Sequence, residues 1–324
     1  MLLEQPGAPL RAVRRPIRAP GAHEVLIRIG ACGVCRTDLH IADGELAPHR
    51  LPLVPGHEVA GTIVEAGSQV AALAIGERVG VPWLGGTCGH CEFCRATREN
   101  LCDTPSFTGY DRDGGYADYV AADARYCHRL PERYDDLHAA PLLCAGLIGY
   151  RAFAMCANAQ RIGLYGFGAA AHIVAQVARH AGREVFAFTR PGDARSQAFA
   201  RALGVAWAGP SDAAAPVPLD AAILFAPLGA LVPLALAAVR KGGTVVCAGI
   251  HMSDIPSFPY ALLWQERCLR SVANLTRADG EAFFAIAARR QIQVHPVRYR
   301  LGQANEALAA LRAGAFDGAA VLVP

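Results

Sequence analysis

The stretch RIGLYGFGAAAHIVAQVARHAG, residues 161–182, changes character in its middle. Its first residues are short and apolar, as a strand buried on both faces requires; the later ones repeat apolar side chains at helical spacing until a glycine stops them. The same rhythm continues in EVFAFTR followed by DARSQAFARALG, then in DAAILFA, TVVCAG and LRSVAN. Strands alternating with helices predict a parallel, doubly wound α/β sheet. Residues 221–239 carry no charge over nineteen positions, long enough to raise a membrane span. Pro227, Gly229 and Pro233 interrupt them, so they read instead as a buried strand and a helix, LVPLALAAVRKGG, stopped by Gly242 and Gly243.

Upstream the pattern differs. From a first strand close to Met1 to about Cys144, β-rich runs such as EVLIRIGACGV and EVAGTIVEAG alternate with Gly and Pro, which predicts an irregular all-β domain. From about residue 292 a strand, a helix and a strand end the chain and are assigned back to that domain. The expected division is therefore 1–145 with 292–324, and 146–291; a chain of 324 residues is long enough for two cores. With 53% hydrophobic and 18% charged residues and a net charge of +3, an electrostatic grip on nucleic acid or anionic lipid is not expected. The N-terminus has no uninterrupted apolar run, so a cytoplasmic protein is expected. Clustered cysteines among the eleven then point to metal rather than to disulfides.

The cluster is CGHCEFCRATRENLC, with Cys88, Cys91, Cys94 and Cys102 at spacings of two, two and seven. Four thiolates suit a tetrahedral Zn²⁺; the seven-residue gap and the following Asp103 fit an iron–sulfur run less well. His90 lies inside the loop as an exposed bystander. Four protein ligands leave no place for a substrate, so this metal is structural and the chemistry lies elsewhere. GACGVCRTDLH, VPGHEVAG and APLLCAGLIGY offer Cys35, His57, Glu58 and Cys144 for a second centre. A catalytic zinc takes three protein ligands and one open position, but each of these residues is weak evidence alone.

Taken together, CGVCRTDLH, PGHEVAG, the cysteine loop, GYDRDGGYADY and the glycine-rich turn resemble the zinc-dependent alcohol dehydrogenases of the medium-chain dehydrogenase/reductase family, over essentially the whole chain. The resemblance implies a GroES-like β-barrel catalytic domain, a Rossmann coenzyme domain and a cleft between them. It implies that Cys35, His57 and Cys144 bind the catalytic zinc, that Glu58 is an exchangeable ligand and that Asp38 partners the metal histidine. Thr37 and His40 are similar to a proton relay running through the nicotinamide ribose, Arg36 to a pyrophosphate ligand, and Trp83 to the wall of the substrate pocket. A homodimer or homotetramer is implied, with two Zn²⁺ per chain.

The physical reading of the coenzyme site runs alongside. Gly166 and Gly168 give the tight turn and close backbone approach of a dinucleotide fingerprint, and Ala171 takes its third position. Pyrophosphate is expected at the helix N-terminus. The second strand ends in Thr189 and Arg190 with no carboxylate, and Asp193 reads as a helix N-cap, which favours NADP(H) while leaving NAD(H) open. Gly249 and Ile250 are expected beside the nicotinamide and His251 at the rim. Cys32, Cys127, Cys156, Cys247 and Cys268 read as small apolar fillers. The expected activity is interconversion of a small-molecule alcohol, primary by preference given Trp83, with its aldehyde. The alternatives are a zinc-independent quinone or enone reductase of the same fold, disfavoured by Cys35, His57 and Cys144, and a non-enzymatic zinc-stabilised binding protein.

Overall fold

A computed structural model of the chain describes residues 1–316 and 318–324. They form two compact units: Met1–Cys144 with Asn274–Pro324, and Ala145–Ala273.

The first unit is built on a seven-stranded sheet. Its strands run Pro296–Arg300, Ala319–Val323, Glu24–Val34, Val59–Ala66, Arg78–Val81 and His128–Arg129, and Tyr119–Asp123 also pairs with Glu24–Val34. All neighbours are antiparallel except the first two. Glu24–Val34 carries irregularities after Leu26 and Ile29, which bend it and let one long strand serve several partners. Its inward side chains, Val25, Ile27 and Ile29, join Val59, Ile63, Val79 and Tyr116 in one core. The first residues form no full strand: Leu2 and Leu3 make single bridges to Arg11 and Leu53, because Pro6 and Pro9 cannot sustain a ladder.

The second unit is a six-stranded, all-parallel sheet in the order Trp207–Pro210, Glu184–Thr189, Arg161–Tyr165, Leu219–Leu224, Val239–Cys247, Cys268–Ser271. That order reverses between Arg161–Tyr165 and Leu219–Leu224, the switch point at which doubly wound folds bind ligands. The strands at the switch are buried almost throughout, because helices cover parallel sheets on both faces.

Three differences from the sequence reading have local causes. The helix Leu231–Ala238 stops before the glycines: Val239 pairs with Leu219 and starts a strand, and Gly242 turns within that strand at φ +69°. The chain rejoins the first unit at Asn274, not at 292, because the helix Arg277–Arg289 packs over His128. Gly280 leaves room for that ring, which any β-carbon there would strike. Cys268 is exposed rather than a core filler, since it begins the edge strand of the second sheet.

Among the described residues no single helix is long and apolar enough to cross a membrane.

Candidate metal and coenzyme sites

The cysteine loop grows from a small ladder in which Leu84 pairs with Phe107 and Gly86 with Ser106, so its two ends are fixed side by side. Within it the backbone turns its N–H groups onto sulfur. Cys91 N–H donates to Cys88 Sγ at 3.3 Å, Cys94 N–H to Cys91 Sγ at 3.4 Å, and Cys88 N–H to Cys102 Sγ at 3.3 Å. The N–H groups of His90 and Cys91 pull the Cys88 thiol down to about 6, which favours the thiolate a metal binds. Sulfurs lie 3.9 Å apart for Cys88 and Cys94 and 3.6 Å for Cys88 and Cys102, and all four ligand atoms fall within 4.8 Å of one another. Tetrahedral zinc with bonds of about 2.3 Å spaces its sulfurs about 3.8 Å apart, so the set fits the ion. His90 stays exposed, with Nδ1 on the Cys88 carbonyl.

The second cluster is assembled by the main sheet. In the antiparallel pair Glu24–Val34 and Val59–Ala66, Cys32 lies opposite Val59, so the end of one strand meets the start of the other. Cys35 just past the first and His57 and Glu58 just before the second are thereby neighbours, with Cys35 Sγ 3.1 Å from His57 Nε2. Cys144 follows the short helix Ala140–Leu143, whose Leu143 fits over Gly80 of the sheet where a β-carbon would clash. Its Sγ lies 3.9 Å from that of Cys35, and ligand atoms of Cys35, His57, Glu58 and Cys144 all lie within 4.8 Å of one another.

Asp38 organises the cluster from behind. It is 1% exposed; Oδ2 accepts from Cys35 N–H at 2.9 Å and Oδ1 meets His57 Nδ1 at 3.2 Å, which turns Nε2 toward the sulfurs. Cys35 Sγ accepts from Thr37 N–H, so the same sulfur also caps the helix Arg36–Asp43. The electrostatics describe a crowded buried anion site. The Cys144 hydrogen bond, outweighing burial and aided by His57, holds the Cys35 thiol well below its ordinary range; burial and that thiolate push Glu58 well up. Burial works against a charged His57, but Cys35 and Asp38 outweigh it and raise its pKa. Two thiols and two carboxylates around one imidazole form a donor set that a divalent cation neutralises.

Trp83 lies edge-on to His57, with centroids 5.0 Å apart, and stacks on Phe107 at 4.9 Å with Tyr110 at 5.6 Å. Sequence reading singled out Trp83 alone; the pair flanking Thr108 and Gly109 in SFTGY is the signal for the other two. Gly33 was missed as well: any β-carbon there would overlap the Glu58 carboxylate. Thr37 is 7% exposed, Arg36 is exposed on the same helix, and His40 Nδ1 meets Glu45 Oε2 at 2.5 Å.

In the second unit Gly166 turns at φ +87°, and a β-carbon there would lie 2.8 Å from Ala226 N, so only glycine lets the two strand ends at the switch point close up. Gly168 caps the helix Ala169–His180 without a side chain, leaving the N-terminal N–H groups open to an anion, and Ala171 is fully buried. Thr189 is 2% exposed; its hydroxyl faces the Gly209 and Arg190 carbonyls and accepts from Gln197, so it is engaged inside the unit rather than presented at the strand end. Arg190 is exposed there, and Asp193 caps the next helix through Ser196 N–H at 2.9 Å and Oγ at 2.8 Å. Gly249 and Ile250 line a cavity of about 470 Å³ with Met252 and Arg270.

Residues 21–132 match the family model of the alcohol dehydrogenase GroES-like domain. The chain is 50% identical over 323 residues to a probable alcohol dehydrogenase of Mycobacterium tuberculosis, covering 97% of this chain and 93% of that one. Among solved structures it is similar to a putative zinc-binding dehydrogenase of Sinorhizobium meliloti bound to NADP, with TM-score 0.88, 27% identity and 100% and 98% of the two chains covered. A cobalt- and zinc-bound thermostable alcohol dehydrogenase of Pyrobaculum aerophilum superposes with TM-score 0.89 and 26% identity, over 100% and 98% of the chains. With a GroES-like sheet, a doubly wound parallel sheet and two buildable metal centres, the chain belongs to the zinc-dependent alcohol dehydrogenases of the medium-chain dehydrogenase/reductase family and is an NAD(P)-dependent oxidoreductase.

Proposed function

We propose that this protein interconverts primary alcohols and aldehydes with NADP(H) in preference to NAD(H), using one structural and one catalytic zinc per chain, as a cytoplasmic homodimer or homotetramer. The observation that carries the reading is the convergence of half-buried Cys35 and Cys144 on buried His57, oriented by Asp38 and walled by Trp83. These three residues would hold the catalytic ion, with Glu58 as exchangeable ligand, and Cys88, Cys91, Cys94 and Cys102 the structural one. Bound there, zinc supplies Lewis acidity, which lowers the proton affinity of an oxygen, and the nicotinamide supplies the hydride acceptor or donor.

The chain's own residues do the rest. Trp83, stacked on Phe107, walls the substrate side and restricts bulk at the reacting carbon, which favours primary alcohols. Thr37 takes the hydroxyl proton and His40, on the same helix, receives it. Arg36 and the N–H groups after Gly168 bind pyrophosphate, and Gly166 and Ala171 hold that turn in shape. Arg190 meets the 2′-phosphate: the second strand ends in Thr189 and Arg190 without a carboxylate, and Asp193 just beyond caps the next helix through Ser196. Gly249 and Ile250 line the nicotinamide.

The test compares initial rates of benzaldehyde reduction with NADPH and NADH, before and after chelation. A faster, chelator-sensitive rate with NADPH is expected. A rate that survives complete zinc removal overturns the catalytic metal, and a preference for NADH overturns the role of Arg190.

A further inference from the structure

The helix Arg36–Asp43 carries Thr37 in its first turn and His40 in its last, and ends at Gly44 with φ +81°. That left-handed residue reverses the chain, and Leu46 N–H donates to the His40 carbonyl at 2.9 Å, so the residue between them is swung back over the imidazole. It is Glu45, with Oε2 2.5 Å from His40 Nδ1. An ionised carboxylate only accepts, so in the neutral ring the proton in this contact belongs to Nδ1, and Nε2 is the nitrogen that carries the lone pair. The His40 side chain is 20% exposed and that of Glu45 55%, so the pair reaches from the interior to solvent.

We propose that Glu45 is a positioning residue of the proton relay: it fixes the tautomer and orientation of His40, making Nε2 the atom that takes the proton from the substrate side. This rests on reading Thr37 and His40 as the relay. One proton enters at Nε2; the imidazolium so formed is paired with Glu45 and then gives a proton to water, which restores the neutral ring. The arrangement repeats, at the far end of one helix, what Asp38 does for His57 at the near end.

The experiment measures single-turnover rate constants for alcohol oxidation by the zinc-loaded enzyme and its His40→Ala, Glu45→Ala, Glu45→Gln and His40→Ala/Glu45→Ala variants. His40→Ala should lose about tenfold or more and Glu45→Ala about tenfold, with little change in KM. Glu45→Gln should keep most of the rate, because its amide oxygen still accepts from Nδ1, and added acetate should restore Glu45→Ala. Adding Glu45→Ala to His40→Ala should cost nothing further. A Glu45→Ala enzyme at full rate, or one that loses as much again in the His40→Ala background, overturns the proposal while leaving the relay intact. A His40→Ala enzyme at full rate overturns the relay itself, and Glu45 with it.

Discussion

The two cysteine clusters of the first unit use the same chemistry and reach it by opposite routes. Cys88, Cys91, Cys94 and Cys102 come from one loop; half-buried for the most part, they are held mainly by N–H groups of that loop. Cys35, His57, Glu58 and Cys144 come from three distant segments that the sheet and its core bring together, with Asp38 buried behind them. In the first case the loop itself sets out its four donors. In the second the folded sheet sets them out, which fits the proposed reading of a closed site in the loop and an exchangeable position at Glu58 in the dispersed set.

If that contrast is right, removing a ligand should damage chemistry at one site and stability at the other. The largest effect is expected for Cys35→Ala: a loss in kcat/KM of at least about a thousandfold, since a Lewis acid contributes several kcal/mol and about 1.4 kcal/mol is tenfold. Metal analysis should fall from two zinc ions per chain to one, with the thermal midpoint little changed. An unchanged zinc content would remove the centre from the argument. Cys94→Ser should do the reverse. One zinc is again lost and Tm drops by about 10 °C, as loss of a few kcal/mol does in a chain of this size, while kcat/KM at 25 °C falls by less than about tenfold. If Cys94→Ser abolishes turnover in a protein that remains folded, the division between the clusters is false.

The same contrast decides what was legible in the sequence. Spacing alone exposes a local site, so the four-cysteine loop is readable from residues 88–102. A dispersed site is not, because nothing in the spacing of Cys35, His57 and Cys144 says that Cys32 will lie opposite Val59; the resemblance to a family supplied that step. The parallel sheet was readable from its alternating rhythm, whereas the expected boundary at 292 leaves residues 277–289 with the other unit, because a sequence pattern does not fix what a segment packs against. Thr189 stands at the end of its strand as expected, yet its hydroxyl is engaged by Gly209 and Gln197, and which face a terminal side chain takes depends on the neighbouring strand. Phe107 and Glu45 lie outside the quoted motifs, and Tyr110, though inside GYDRDGGYADY, meets Trp83 only once the chain is folded, so none of the three was singled out.

The smallest effect concerns how the local loop is attached. Glu99 lies between Cys94 and Cys102, is 5% exposed, and accepts from Arg277 N–H at 2.9 Å and Nε at 3.3 Å, tying the cysteine loop to the first turn of Arg277–Arg289. Burial alone would raise the Glu99 pKa; the Arg277 N–H bond and guanidinium outweigh it and leave the carboxyl below its ordinary value. A lowered folded pKa places the stabilisation above the unfolded carboxylate's pKa of about 4.3, and it is lost as pH falls through the folded value. Glu99→Gln should therefore cost about 1–3 kcal/mol near neutrality, with both zinc sites filled, and the gap from wild type should close as pH drops below about 4. Denaturant unfolding of the two proteins from pH 7 to pH 3 gives that gap directly, since loss of zinc to protons is common to both. A gap that stays constant across this range would mean that the loop is held by packing of Tyr126 against Arg277 rather than by the carboxylate, and that the local site leans on its surroundings as much as the dispersed one does.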